Sequence, residues 1–377
     1  MLPIPPWLPP LVGDVATAGT PVLVYDLDPM RDRMRAVMAA ARPLGVRVLF
    51  AVKSLPARPM VELACAELDG LDLAGPGERA LASGLAPGLV SCASPAGDAA
   101  RAGATTVVSV ETEAALARVL AWPGQVEVAV RVSVSALAPG HPAIGALQAG
   151  DGHRRSRFGL ELDDADGQAR ALGLVRAATA AGQRVGLHVH GAGTVLTSPA
   201  AWGALAAAVA HAVDQLGWRP AFVDLGGGWH GVAEQLGPAL AAVRVALPEV
   251  ELRIEPGRLW TLGAGWAVGQ VAAVCPRRDR TVLVSTLSRA AHLRWSPVAL
   301  AGTAPAPGRR DHLTIVGPTC FEDDVLGDFV ADGRDYPVGA PIVVGAVSGY
   351  AAAWNQGFSG VAPAAVVFRT ERGISTS

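Results

Sequence analysis

Between residues 46 and 255, short apolar runs alternate with Ala-rich stretches of helical character. The runs are VRVLFAV (46–52), LDLA (71–74), LVSCA (89–93), TTVVSV (105–110), VEVAVRVSV (126–134), VGLHVH (185–190), AFVDLG (221–226) and VELRIE (250–255). Runs of this length, rich in Val and bounded by Gly, Pro or charge, predict strands. ARPMVELACAEL, ETEAALARVLAW and SPAAWGALAAAVAHAVDQL predict helices between them, as does a stretch near 163–181, while SPAGDAARAGA (94–104) has room for only a short helix. Strands that alternate with helices build parallel βαβ units. Eight such strands are the number that closes a (β/α)8 TIM barrel. One connection, 135–161, is long and carries GDGHRRSRFGLE; long loops inside a compact domain are often functional.

Beyond about residue 262 the pattern changes. GQVAAVC, TVLVST, HLTIVG and PIVVGAV read as strands separated by Gly, Pro and charged turns. The expected fold class is therefore α/β, a (β/α)8 TIM barrel followed by a C-terminal β-rich domain of barrel or sandwich type. From the pattern alone, residues 1–25 fit either domain.

Composition narrows the function classes. The 377-residue chain has 31 basic and 33 acidic residues, a net charge of −2 and a pI near 6.5, without the basic face that nucleic acid or a membrane surface requires. Hydrophobic residues make up 51% and charged residues 17%, which argues against extended disorder. Cys65, Cys92, Cys275 and Cys320 form no CxxC pair, so neither a zinc site nor a disulfide framework is expected. The proline-rich start MLPIPPWLPPLVGD lacks the basic region of a signal peptide. No apolar run approaches the ~18 residues of a membrane span, and a cytoplasmic protein is expected.

One count raises the question of chemistry. Of the 31 basic residues Lys53 is the only lysine, so the other 31 − 1 = 30 are arginine. Lys53 ends the first predicted strand, and in a barrel of this kind reactive groups sit at the C-terminal strand ends. The other predicted strand ends carry Asp72 with Glu78 beyond it, Arg131, His188 and His190, Gly226–Gly227–Gly228, and Glu255 with Arg258. A lone triple glycine is most simply a strand-to-helix turn. After the seventh strand, with Arg258 after the eighth, it fits a phosphate site. A phosphate site, one lysine and a rim carboxylate together suggest pyridoxal phosphate, whose aldehyde requires a primary amine to form a Schiff base. Arginine cannot replace that lysine, because its guanidinium stays protonated.

At this point the chain resembles a known family, the fold-type III pyridoxal-phosphate decarboxylases. These include the diaminopimelate and ornithine decarboxylases and share a barrel with alanine racemase. The matching pieces are TPVLVYD (20–26), FAVKS (50–54), GLDLAGPGE (70–78), SRFGL (156–160), HVHGAGT (188–194), VDLGGGW (223–229), IEPGR (254–258), GPTC (317–320), and SGY with GFSG (348–350, 357–360), in family order. The resemblance implies a barrel over 26–262, with 1–25 and 263–377 in the β-rich domain. It implies that Lys53 holds the cofactor, that Glu255 faces the pyridine nitrogen and that His190 stacks on the ring. Gly226, Gly227, Gly228, Gly257, Arg258 and Tyr350 would hold the phosphate, and Asp72, Glu78 and Arg131 would surround Lys53. Cys320 would come from a partner subunit to reprotonate the α-carbon, in a homodimer with shared active sites acting on an amino-acid-type small molecule.

The departures bear on substrate. The family often has a Gly-Ser pair after the strand-6 histidine; here Ala192, Gly193 and Thr194 stand there, and Thr194 is expected to take the serine's phosphate contact. Diamino-acid enzymes place an acidic residue directly after the cysteine, and this chain has Phe321; only Asp324 fits a familiar acidic spacing. Arg294 matches an arginine that binds a substrate carboxylate. The expected activity is α-decarboxylation of an amino acid or amino-acid conjugate with an apolar or bulky distal end, in a specialised pathway such as siderophore synthesis. A racemase on the same barrel is the alternative, but such racemases place an arginine where this chain has Glu255. A metal-dependent lyase would need a close His-x-Cys pair, and His312 and Cys320 are too far apart. A non-catalytic cofactor-binding homologue would not need to keep both Lys53 and Cys320.

Overall fold

A computed structural model describes residues 1–10, 13, 19–94, 105–134, 137, 157–190, 196–306 and 308–376. The chain divides into two compact units, Arg31–Leu259 and Met1–Met30 with Trp260–Ser377.

The first unit is a closed barrel of eight parallel strands: β2 (Val46–Ala51), β3 (Gly70–Leu73), β4 (Leu89–Cys92), β5 (Thr105–Val110), β6 (Glu127–Val132), β7 (Arg184–Val189), β8 (Phe222–Asp224) and β9 (Glu251–Ile254), with β9 pairing back onto β2. Each is one of the eight predicted runs. Helices Arg58–Glu67, Glu113–Leu120, Ala165–Ala180 and Pro199–Leu216 fall in the predicted gaps. Their starts have local causes. Thr112, Asp164 and Ser198 accept N–H bonds from Ala115, Gly167 and Ala201, each three residues on, as N-caps do. Gly217 stops the last of these helices at φ 62°.

Period-two alternation sorts each barrel strand into an outward and an inward set. The inward set fills the lumen in layers. Leu49, Leu89, Val107, Ala129 and Phe222 form one apolar cluster. Gly186 makes room for it, since a Cβ there would lie 2.5 Å from the Phe222 ring. Charge gathers at the N-terminal ends of the strands. Arg253, 2% exposed, lies over the Phe222 ring at 3.6 Å and pairs with Glu251 and Glu127, while Arg184 pairs with the same two carboxylates. At the opposite ends the inward positions are polar: Asp72, Ser91, Ser109, Arg131, His188, Asp224 and Glu255, all buried.

The second unit is mainly strand: β1 (Val22–Asp26), β10 (Gly265–Pro276), β11 (Thr281–Ser285), β12 (Ala299–Leu300), β13 (Asp311–Val316), β14 (Val325–Ala331), β15 (Pro341–Gly345), β16 (Ala365–Thr370) and β17 (Gly373–Thr376). They form a nine-stranded sheet whose main path runs β14-β13-β11-β10-β1-β16-β17, with β15 joined to β10 and β12 to β15. Strand β1 is central, antiparallel to β10 and parallel to β16. All five of its residues are buried, the continuous apolar pattern of a strand covered on both faces. Leu8, Val22, Val24, Trp266, Val268, Ala301, Val343 and Val367 form its core cluster.

Four strands of this sheet, β12, β14, β16 and β17, escape the sequence pattern. β14 and β17 are the outermost strands of the path, and β14 alternates buried and open positions with Asp328 among the open ones. Such strands lack the continuous apolar run. Helix Leu27–Ala41 likewise went unpredicted. The short helix expected within 94–104 and most of the long 135–161 connection lie outside the described residues. No helix among the described residues is long and apolar enough to cross a membrane.

Candidate active site

Lys53 stands in a 3-10 turn directly after β2, and its ammonium donates to Asp72 Oδ2 at 2.7 Å. Asp72 is fully buried and lies on β3, whose register places it opposite Ala51 of β2. A buried carboxylate facing an ammonium needs that partner to offset its lost hydration. The turn is held from below: Ser54 Oγ donates to Ala51 O, and a Cβ on Gly257 would sit 2.8 Å from the Ser54 Cβ. Only glycine at 257 lets the end of β9 approach the lysine turn so closely.

Glu78 stands one step further out. Its Oε2 accepts the Ala74 N–H at 2.6 Å from the first turn of helix Pro76–Leu81. Burial raises its pKa. Arg131 on β6 is buried, faces Glu111 at 3.6 Å and lies over the Phe158 ring at 4.5 Å. Its strand neighbour is His188. His188 is buried, its Nδ1 lies 2.7 Å from Ser109 Oγ, and desolvation followed by the Arg131 charge lowers its pKa well below the usual histidine value.

His190 follows β7. The residue is exposed, yet desolvation by the surrounding protein, then the Lys53 and Arg131 charges, lowers its pKa to about 3. The imidazole is neutral at pH 7. Its Nδ1 accepts the Gly227 N–H at 3.2 Å, which places the proton of the neutral ring on Nε2.

The triple glycine after β8 turns sharply, with φ 62° at Gly226 and 103° at Gly228. A Cβ at Gly226 would meet His190 Nδ1 at 2.6 Å. The loop is anchored by the Trp229 indole, which donates to Gly226 O at 2.9 Å and stacks on Trp202 at 3.6 Å. Two of the three glycine amides are engaged within the protein: Gly226 N–H donates to Asp224 and Gly227 N–H to His190. Arg258 begins the short 3-10 segment that follows β9.

Glu255 is 2% exposed. Burial first, then the Asp224 and Asp72 carboxylates, raise its pKa well above the ordinary range. Its Oε1 is buried with no hydrogen-bond partner among the described residues, as are Asp72 Oδ1 and His188 Nε2. Buried polar atoms without partners are rare, and several in one barrel mouth mark a place where a ligand supplies the missing contacts. The sequence reading missed Asp224, Ser91 and Ser109. The signal was strand parity: Asp224 is two residues from lumen-facing Phe222, and Ser91 and Ser109 are each two from lumen-facing Leu89 and Val107.

The remaining predicted residues fall in the other unit or outside the description. Thr194 lies outside the described residues. Cys320 is an exposed free thiol in the connection between β13 and β14, and Phe321 beside it is 48% exposed and packs edge-on against Phe358 at 5.8 Å. Tyr350 opens the short helix Tyr350–Ala353 and meets Trp295 at 5.4 Å, while Arg294 lies over the Trp354 ring at 4.3 Å. Asp324 is 2% exposed and its two oxygens accept from Ser288 Oγ, Arg289 N, Ala290 N and Thr319 Oγ1. A carboxylate so saturated ties two loops together and has no lone pair directed at a substrate.

Residues 27–261 match the family described as pyridoxal-dependent decarboxylase, pyridoxal binding domain. The chain is 30% identical to the diaminopimelate decarboxylase of Actinosynnema pretiosum subsp. auranticum, covering 93% of this chain and 84% of that one. It is 28% identical to the diaminopimelate decarboxylase of Deinococcus radiodurans, covering 90% and 87%. Among solved structures, the lysine/ornithine decarboxylase of Vibrio vulnificus shares the fold at a TM-score of 0.74 with 21% identity over 95% of this chain and 97% of that one. The arginine decarboxylase of Paramecium bursaria Chlorella virus does so at 0.73 and 16%, over 96% and 100%.

The barrel mouth suits that cofactor. It holds the chain's single primary-amine side chain, a buried carboxyl oxygen without a donor, and a glycine turn that no side chain could replace. The chain belongs to the pyridoxal-dependent decarboxylases, amino-acid decarboxylases whose cofactor is pyridoxal phosphate.

Proposed function

We propose that this decarboxylase removes the α-carboxyl group of an amino acid or amino-acid conjugate with an apolar or bulky distal end, releasing an amine and CO2 in a specialised biosynthetic pathway such as siderophore assembly. The observation that carries the site assignment is the only lysine of the chain, 2.7 Å from a fully buried carboxylate in the same barrel mouth as the unpartnered oxygen of Glu255.

Lys53 offers the amine to which the cofactor is attached, and Asp72 orients it. Glu255 faces the ring nitrogen and holds a proton there. His190, neutral, stacks its ring on the cofactor. The turn Gly226–Gly228, with Gly257, Arg258, Tyr350 and Thr194, receives the phosphate; Gly226 and Gly227 shape the turn, since their amides are engaged inside the protein. When bound, pyridoxal phosphate supplies an electron sink for the pair released as CO2 departs. Asp72, Glu78 and Arg131 set the field around the lysine. Arg294 meets a carboxylate of the substrate.

Cys320 of the partner subunit returns a proton to the α-carbon, in a homodimer with shared sites. Its thiol is exposed, as a donor from a second copy must be. Phe321 and Phe358 form an aromatic pair beside it, an apolar surface for a distal group of the substrate. The test is CO2 release from cofactor-loaded protein across a panel that includes diaminopimelate, lysine, ornithine and amino acids with apolar side chains, with the amine identified by mass spectrometry. Turnover concentrated on the apolar substrates is expected. Preference for diaminopimelate would overturn the substrate assignment, and racemisation without CO2 the reaction.

A further inference from the structure

Behind Glu255 the barrel floor holds a second carboxyl group that no role above accounts for. Asp224 ends β8, is 3% exposed, and one of its carboxyl oxygens lies within 4.8 Å of both a Glu255 oxygen and a His188 ring nitrogen. Asp224 and Glu255 are thus two buried carboxyl groups side by side. A carboxylate oxygen only accepts, so a hydrogen bond between two carboxyl groups contains a proton. Asp224 also accepts the Gly226 N–H at 2.9 Å.

Among the described residues, Arg253 lowers the Asp224 pKa and Lys53 that of Glu255, yet both carboxyl groups stay raised. Arg253, beside Asp224 in the β8–β9 register, is engaged by Glu251 and Glu127. Lys53 pairs with Asp72. His188 lies between Ser109 Oγ at 2.7 Å and Glu255 Oε2 at 3.9 Å, and burial disfavours its charged form. Two adjacent buried carboxyl groups in such a field retain one proton between them, because ionising both places like charges side by side in a low dielectric.

We propose that Asp224 is a positioning residue for Glu255: the two adjacent carboxyl groups share one proton in a hydrogen bond and leave Glu255 Oε1 as the buried oxygen that meets the ring nitrogen of the cofactor. This rests on the assignment of Glu255 to that nitrogen. The pair keeps a proton on the Asp224 side of Glu255 and leaves the oxygen that meets the ring nitrogen free to accept. It also links the ring contact to the phosphate turn, since the same aspartate that shares the proton holds the Gly226 amide.

Asp224→Asn separates the two tasks. An asparagine oxygen can still accept the Gly226 N–H and its amide can donate to Glu255, but the shared proton and the second charge are gone. The first readout is the infrared carboxylic-acid C=O band of the full-length protein at neutral pH, where ordinary carboxyl groups are ionised. One such band is expected in the parent, absent from both Asp224→Asn and Glu255→Gln. The second is the pH dependence of pyridoxal phosphate affinity. Its midpoint is expected to move down by about one unit or more in Asp224→Asn, because removing a like charge lowers the Glu255 pKa. Circular dichroism on each variant checks that the fold is kept. A band that survives in Asp224→Asn, or an unmoved pH midpoint, overturns the proposal. If the band disappears in both variants while Glu255→Gln binds the cofactor with the parental pH dependence, the shared proton stands but Glu255 does not face the ring, and the positioning role falls with that assignment.

Discussion

At the scale of single residues, charge type and charge position carry different information. Lys53 was legible because a chain with thirty arginines has one lysine, and a primary amine is the one cation that arginine cannot imitate. Replacement by arginine keeps the charge beside Asp72 and removes the amine. Lys53→Arg is expected to abolish CO2 release, by more than a thousandfold against an order-of-magnitude reference for losing a covalent catalyst, with the thermal transition retained. Asp324 was misplaced in the sequence for an equally physical reason. Its spacing from Cys320 suggested substrate contact, but spacing does not reveal that Ser288, Arg289 and Ala290 donate to its carboxylate from more than thirty positions away. Asp324→Ala leaves these donors buried and unpaired and is expected to cost roughly 3 kcal/mol in urea unfolding, whereas Phe321→Ala, on an exposed side chain, should change stability little.

At the scale of elements, all eight barrel strands were readable, because strands buried on both faces are near-continuous apolar runs. The polar lining was only half readable. Asp72, Arg131 and Glu255 stood out as charges at strand ends, but Ser91, Ser109 and Asp224 are recognisable as lining the lumen only once the parity of each strand is fixed. The edge strand β14 was missed because its open positions interrupt the apolar run. Lumen packing gives a direct check on the parity. Gly186→Ala would place a methyl group 2.5 Å from the buried Phe222 ring, and about 1–3 kcal/mol of destabilisation is expected from overpacking, measured by the urea midpoint. A neutral result would mean that Gly186 does not face the lumen.

At the scale of the whole molecule, buried histidines govern the response to acid. His188, His190, His230 and His292 all have pKa values lowered in the fold, chiefly by desolvation. Below about pH 6.5 the unfolded chain binds protons that these folded-state rings refuse, so stability falls as pH falls through that value. Asp224 and Glu255 act with the opposite sign. Their folded pKa values are raised, so their contribution is present in acid and lost as pH rises through the folded values. Glu78 and Asp26 are raised by burial too and side with the carboxyl pair. The unfolded histidine value lies inside the interval, so the urea midpoint is expected to decrease between pH 7 and pH 5; a midpoint that rises over that interval would show that the raised carboxyl groups dominate.

The central claim is that Lys53 carries the cofactor. Borohydride reduction of the cofactor-loaded protein, followed by digestion and mass spectrometry, tests it most directly. The expected result is a pyridoxyl group on the peptide containing Lys53. An unmodified Lys53 peptide from protein that demonstrably contains pyridoxal phosphate would contradict the account.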